Sequence, residues 1–217
     1  VTTTTTTLPV DLCAGYVGRG TAREIAATPR ADVNLEMLAL SMTSGLTASQ
    51  LVYERVVRDV GAIRSAYPAV ASIGYFPVHD HQSVIVGFDP PTAADVAEGN
   101  YTAWDCANTW YGLQSLNVRA SLTQVNLKGI YATPQLATEY GGLPGVRSAE
   151  PNYFGGDGPT ICGTIDGDTY HYVFDEASGD CPAGCIDHVY SYFTTDAAGS
   201  ITIRDTWDNS SGAPAPI

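Results

Sequence analysis

The chain has 217 residues, with 23 acidic against 10 basic side chains, a net charge of −13 and only 15% charged residues. That balance excludes a nucleic-acid binder, which needs a basic footprint, and argues against docking on anionic membranes. Hydrophobic residues at 44% can build a sizeable core, and no apolar run approaches the ~18 residues of a membrane-spanning helix.

The first 31 residues read as an extended Thr-rich arm: Thr2, Thr3, Thr4, Thr5, Thr6 and Thr7 in one run, then Leu8, Pro9 and Val10. Threonine is β-branched and favours extended backbone, so the natural resting place of such an arm is a sheet edge. A start at Val1 rather than Met reads as a mature terminus left after removal of an export signal. Five cysteines, Cys13, Cys106, Cys162, Cys181 and Cys185, agree with an oxidising compartment. They leave the disulfide pairing open and one thiol over. The expected location is secreted, extracellular or at the cell surface.

A helical hairpin follows. Leu35, Leu38, Ala39 and Met42 recur at helical spacing over 34–43. Thr47-Ala48-Ser49-Gln50 reads as a capping box before a second helix. Val52, Val56, Val60 and Ile63 line one face of that helix, with Arg55, Arg58 and Arg64 on the wet side. Tyr67-Pro68 ends it.

The middle segment alternates strand and helix. Ser83–Phe88 is a buried strand, Pro90-Pro91-Thr92 opens a helix, and Tyr101 to Tyr111 continues helically. Residues 118–130 form a long alternating stretch with a strand over 122–131, Thr133-Pro134 opens a short helix, and 146–150 is a strand. The C-terminal part is β: Thr160–Ile165 and Thr169–Asp175 joined at Asp166-Gly167 in a type I′ turn, then strands at 186–194 and 200–205. The fold class is therefore α+β: an N-terminal arm (1–31), an α+β domain (32–152), a C-terminal antiparallel β module with disulfides (153–208) and a flexible tail (209–217).

Lys128-Gly129-Ile130-Tyr131, Pro134-Gln135-Leu136 and the run Leu143 to Asn152, ending Ser148-Ala149-Glu150-Pro151-Asn152, carry a family likeness. Residues 83–152 resemble the subtilisin propeptide family of protease inhibitors. The resemblance implies a ferredoxin-like β-α-β middle and a protease as partner. The segment after this strand departs from the family pattern, because it runs on into Gly155-Gly156-Asp157-Gly158 and another module instead of ending as a tail.

Three constellations bear on chemistry. His79-Asp80-His81, in a loop before the strand, could present two imidazoles to one metal ion. Cys181-Pro-Ala-Gly-Cys185 reads as a clamped disulfide loop, or with Cys162 and His188 as a zinc cluster. Tyr170, Tyr172, His188, Tyr190 and Tyr192 offer an aromatic face for carbohydrate or a neighbouring subunit. No phosphate loop and no nucleophile motif is present, so no catalytic residue and no cofactor is expected. The first-ranked expectation is a non-enzymatic extracellular structural subunit that assembles with itself, as an oligomer or filament, through its N-terminal arm. A protease-inhibitor-like binding module and a secreted metal or carbohydrate binder are the alternatives.

Overall fold

A computed structural model describes Cys13, residues 30–181 and residues 183–209. In chain order the elements are α1 (Val33–Ser41), α2 (Gln50–Ala66), a 3-10 turn (Pro68–Val70), β1 (His79–Phe88), α3 (Pro90–Glu98) and α4 (Asp105–Trp110). Then follow β2 (Leu113–Arg119), β3 (Leu122–Leu127), α5 (Thr133–Gly141), β4 (Val146–Tyr153), β5 (Thr160–Asp166), β6 (Thr169–Ser178), β7 (Asp187–Thr195) and β8 (Ile201–Asp208). The fold is α+β with two four-stranded antiparallel sheets, of order β2-β3-β1-β4 and β5-β6-β7-β8. Among the described residues no helix is long and apolar enough to cross a membrane.

The chain divides into two compact units: Val1–Pro29 with Asp80–Asn152, and Arg30–His79 with Tyr153–Ile217. We call them the inserted and the flanking unit. The helical hairpin thus belongs with the C-terminal sheet. A single 32–152 domain is replaced by one unit that interrupts the other.

In the flanking unit, Asp32 caps α1 by accepting from the Leu35 N–H at 3.0 Å. The cap of α2 is Ser49, which accepts from the Val52 N–H at 3.2 Å, two residues later than a box begun at Thr47 requires. The expected apolar stripes are the core: Leu35, Leu38 and Ala39 from α1 and Val56, Val60 and Ile63 from α2 are buried with Ile161, Tyr172, Phe174 and Phe193 of the sheet. The wet side of α2 differs from expectation. Asp59, only 1% exposed, lies 2.6 Å from Arg55 and 2.9 Å from Arg58. It also accepts from the hydroxyls of Thr195 at 2.5 Å and Tyr172 at 3.3 Å. The two arginines neutralise a buried carboxylate instead of coating a solvated face. Arg55 also lies over the Tyr170 ring, 4.6 Å from its centroid.

In the inserted unit the order strand-helix-helix-strand-strand-helix-strand places β1 between β3 and β4. Val84, Val86 and Phe88 alternate into a core with Val125, Leu127, Ile130 and Leu136. Asp89 caps α3 through the Thr92 N–H at 2.9 Å, and Gly99 ends it with φ 77°. The Tyr101–Tyr111 helix shrinks to α4, because Tyr101 and Trp104 turn edge-on to Phe88 and to each other.

The strand expected over 122–131 is β3, ending at Leu127, but the alternating stretch that begins at Val118 is broken by the turn Ala120-Ser121, which joins β3 to β2 in a hairpin. Ala120 holds φ 48°, a conformation that such a loop normally assigns to glycine, so the usual turn signal is missing from the sequence. In the C-terminal hairpin Asp166 pairs with Thr169, so the loop is Gly167-Asp168. Gly167, at φ 56°, takes the first loop position with no positive φ at Asp168, the pattern of a type II′ turn and not of type I′.

Candidate functional site

The register of the flanking sheet separates its aromatics. Asp175 stands opposite Tyr190 and Tyr190 opposite Trp207, while Val173 faces Tyr192 and His171 faces Thr194. Alternation therefore gathers Cys162, His171, Asp175, His188, Tyr190, Tyr192 and Trp207 on one face. Tyr170 and Tyr172 stand on the other: Tyr172 is fully buried in the core and Tyr170 lies under Arg55. The expected aromatic face keeps His188, Tyr190 and Tyr192, loses Tyr170 and Tyr172, and gains His171 and Trp207.

On that face the rings stack on each other. His188 and Tyr190 are near-parallel at 5.6 Å, and Tyr190 and Trp207 at 4.9 Å. His171 stacks on Tyr192 at 6.0 Å and shares a 2.7 Å hydrogen bond with its hydroxyl. Rings stacked face to face spend those faces on one another and present edges outward, which makes a poorer stacking platform for a sugar than a flat ring does.

His188 is locked in place. Its Nδ1 lies 3.0 Å from the Asp175 carboxylate and its Nε2 3.3 Å from the Cys185 carbonyl. Burial alone would depress the imidazole, but the Asp175 hydrogen bond and charge, the Cys185 carbonyl and Asp157 outweigh it and raise it above its ordinary value. Both nitrogens face oxygen acceptors, a carboxylate and a carbonyl, which favours the protonated ring.

Beside β5, a groove of about 380 Å³ is lined by Tyr75, Phe76, Val78, Phe154, Asp157 and Cys162, among others. Cys162 is the free cysteine, exposed as a residue. Crowding of the thiol, and then the Asp175 charge, pushes it up, the opposite of what activates a nucleophile.

The inserted unit offers a different feature. Among the described residues strand β2 is the sheet edge, and Gln114 to Arg119 are all exposed, on both faces. Leu116 and Val118, 37% and 39% exposed, lie opposite Val125 and Thr123, which are almost fully buried. The apolar layer of the unit therefore continues out to this edge and stops there uncovered. Arg119 is its only charged side chain; the strand has no Lys, Pro or acidic residue of the kind that blunts edges, and its one irregularity is a register shift between Leu113 and Ser115.

The remaining expected site residues fall as follows. Thr2 to Thr7, Leu8 and Val10 lie outside the described residues. Cys13 is bonded to Cys106 and Cys181 to Cys185, which consumes the thiols a zinc cluster with Cys162 and His188 would need. His79-Asp80-His81 forms the beginning of β1 and not a loop. His81 is buried, its Nδ1 2.9 Å from the Tyr131 carbonyl, and His79 meets the Tyr153 ring edge-on. Among the described residues no group of three or more His, Cys, Asp or Glu side chains could hold a metal ion. Sequence reading misses Trp207, the pairing of Asp175 with His188 and the β2 edge. The first two become legible through strand alternation once the register is known. The edge is hidden because the alternation from Val118 onward runs across the turn at Ala120-Ser121. No protein-family model, no curated protein and no solved structure matches the chain.

Proposed function

We propose that the protein is a secreted structural subunit that assembles with copies of itself by strand addition, its N-terminal arm serving as the added strand. The observation that carries this reading is the β2 edge, open among the described residues and charged only at Arg119, whose backbone and exposed Leu116 and Val118 favour another strand beside them. The arm supplies matching chemistry: β-branched, uncharged from Val1 to Val10, with Leu8 and Val10 two residues apart and so on one face of a strand. A head-to-tail contact of this kind propagates. The two disulfides are compatible with an extracellular location. Deleting residues 1–11 is expected to abolish assemblies seen by electron microscopy and sedimentation. Unchanged particles from the truncated protein would remove this reading.

A second reading draws on the inserted unit, which we take to be ferredoxin-like. The 83–152 resemblance to subtilisin propeptides falls within the unit Asp80–Asn152, and the split β-α-β order supports the likeness. On this reading the unit binds a subtilisin-type protease. Absence of inhibition at micromolar protein in a peptide-hydrolysis assay would reject it.

A further inference from the structure

The backbone of β2 fixes the direction of a strand added to it and the chain that supplies one, an inference that rests on the proposed assembly. We propose that residues 7–11 of the same chain close the β2 edge as an antiparallel fifth strand, Leu8 opposite Val118 and Val10 opposite Leu116. Assembly is then the exchange of this strand between copies.

The ladder comes first. Phe88 donates its N–H to the Ser121 carbonyl, and Lys128 donates to the Gly112 carbonyl. Alternation along β3 between those two bonds turns the backbone groups of Thr123 and Val125 towards β1 and those of Leu122, Gln124 and Asn126 towards β2. Their partners Arg119, Asn117 and Ser115 therefore face β3, and Leu116 and Val118 hold N–H and C=O outward. The side chains of Leu116 and Val118 share the face of buried Val125 and Thr123. Free backbone groups and uncovered apolar side chains thus coincide at the same two residues. The other edge of this sheet, β4, carries Arg147, Glu150 and Pro151 and offers no such row.

The arm matches that row in one direction. In a parallel pair a residue bonds to the two neighbours of the residue opposite it, so setting Leu8 or Val10 opposite Leu116 or Val118 would put Pro9, which has no N–H, on the ladder. In an antiparallel pair, residues directly opposite bond to each other. Leu8 with Val118 and Val10 with Leu116 then make the ladder bonds and extend the apolar layer by one strand. Pro9, opposite Asn117, turns its backbone away, where the missing N–H costs nothing and blunts the new edge. On the other face Thr7 meets Arg119 and Asp11 meets Ser115, polar against polar. A shift of two residues, towards Gln114 or towards the turn at Ala120, loses one of the two apolar pairs.

The root of the arm names its owner. Cys13 is bonded to Cys106 on α4, the helix that contacts β2 and leads through Tyr111 and Gly112 into Leu113. An antiparallel strand has its C-terminal end at the Leu113 end of β2, the end to which α4 delivers this root. From Cys13 to Val10 the chain spans up to about 10 Å, matching the rise from Leu113 to Leu116. A parallel strand would need the root at the Arg119 end, about 20 Å away along a seven-residue strand. The direction that the ladder demands is the direction that the disulfide permits. A second copy offering its arm makes the same bonds, so a released arm and a vacated edge join one subunit to the next.

The test locks the strand in place. Thr7 and Arg119 form a non-hydrogen-bonded antiparallel pair, whose Cα spacing of about 4.5 Å accepts a disulfide. In the full chain carrying Cys162→Ser, Thr7→Cys with Arg119→Cys is expected to cross-link within one chain at submicromolar protein, read by non-reducing electrophoresis and peptide mass. Asp11→Cys with Arg119→Cys, aligned only in the parallel sense, is expected to cross-link about tenfold less. The locked chain should lose assembly by light scattering, while each single variant with its thiol alkylated assembles like its parent. In the unmodified dilute chain, the amides of Leu116 and Val118 should exchange about tenfold more slowly than in the chain lacking residues 1–11. Equal exchange rates, cross-links between chains alone, or a prevailing Asp11 pair would overturn closure by the chain's own arm. A locked chain that still assembles overturns the exchange. If the truncated chain still assembles, the subunit reading falls whether or not the lock forms; if truncation abolishes assembly and the lock does not form, that reading stands and this closure falls.

Discussion

The two units meet the same requirement, satisfying buried polar atoms, in opposite ways. The flanking unit uses charge: Asp59 is clasped by Arg55 and Arg58, and buried Glu36 by Arg30. The inserted unit uses tyrosine hydroxyls: Tyr131 donates to the Tyr111 carbonyl at 2.8 Å, Tyr140 to Asn108 at 2.8 Å, and Tyr111 to Glu139 at 2.5 Å. They also differ in cross-linking. The Cys13–Cys106 bond of the inserted unit spans 93 residues of chain, whereas Cys181–Cys185 of the flanking unit closes a separation of 4. A neutral core with a long covalent loop depends on its disulfide. A core with a buried ion cluster depends on each partner of that cluster.

The sharpest way to break this comparison is to remove the cross-links. Loop-closure entropy assigns about 4.6 kcal/mol to the long loop and about 1.9 kcal/mol to the short one. Cys13→Ser with Cys106→Ser should therefore destabilise the inserted unit roughly two and a half times as much as Cys181→Ser with Cys185→Ser destabilises the flanking unit. Hydrogen exchange resolved by residue, under chemical denaturation, reads the two losses separately. Equal losses would mean that the denatured chain does not gain the expected freedom.

The polar cores give the next largest effect. Asp59→Ala leaves Arg55, Arg58 and the hydroxyls of Thr195 and Tyr172 without their shared acceptor. It should cost about 3 kcal/mol, the low end for breaking a buried ion pair because Arg58 reaches solvent. Tyr131→Phe removes one neutral hydrogen bond from the inserted unit and should cost about 1 kcal/mol. Urea unfolding of both variants checks the threefold contrast; similar costs would show that the charged cluster contributes no more than a hydroxyl does.

Much of the fold was legible because periodicity speaks for itself. Val56, Val60 and Ile63 announce the buried side of α2, and Thr160 to Asp175 announces a hairpin. The ion cluster was not legible, because Arg55 and Arg58 read with Arg64 as an ordinary wet face, and Asp59 between them gains its buried site only when Thr195 and Tyr172 arrive from strands more than a hundred residues away. The partition was hidden for the same reason: nothing in residues 33–66 says which sheet they will cover. The β2 edge was lost at Ala120, where an alanine does a glycine's work. At the candidate sites, the aromatic residues were visible but their facing was not, since a side chain's face follows from register and register is a property of the partner strand.

Two histidines sharpen the comparison in pH, with the smallest effect and opposite signs. Burial holds His81 of the inserted unit below its ordinary value, against the opposing pull of the Tyr131 carbonyl and Asp80. Its unfolded form takes up a proton as pH falls through about 6.5, while the folded form resists, so stability drains from that unit as pH is lowered from there. His188 of the flanking unit is raised: burial opposes, and the Asp175 bond and charge, the Cys185 carbonyl and Asp157 prevail. Its contribution is complete below about 6.5 and is lost as pH rises through the raised folded value. Between pH 5 and 8 the inserted unit should therefore gain, and the flanking unit lose, protection against hydrogen exchange after correction for the intrinsic rate. His81→Gln should flatten the first slope alone and His188→Gln the second alone. Slopes of the same sign in both units would contradict the assignment of one histidine to a neutral site and the other to a carboxylate partner.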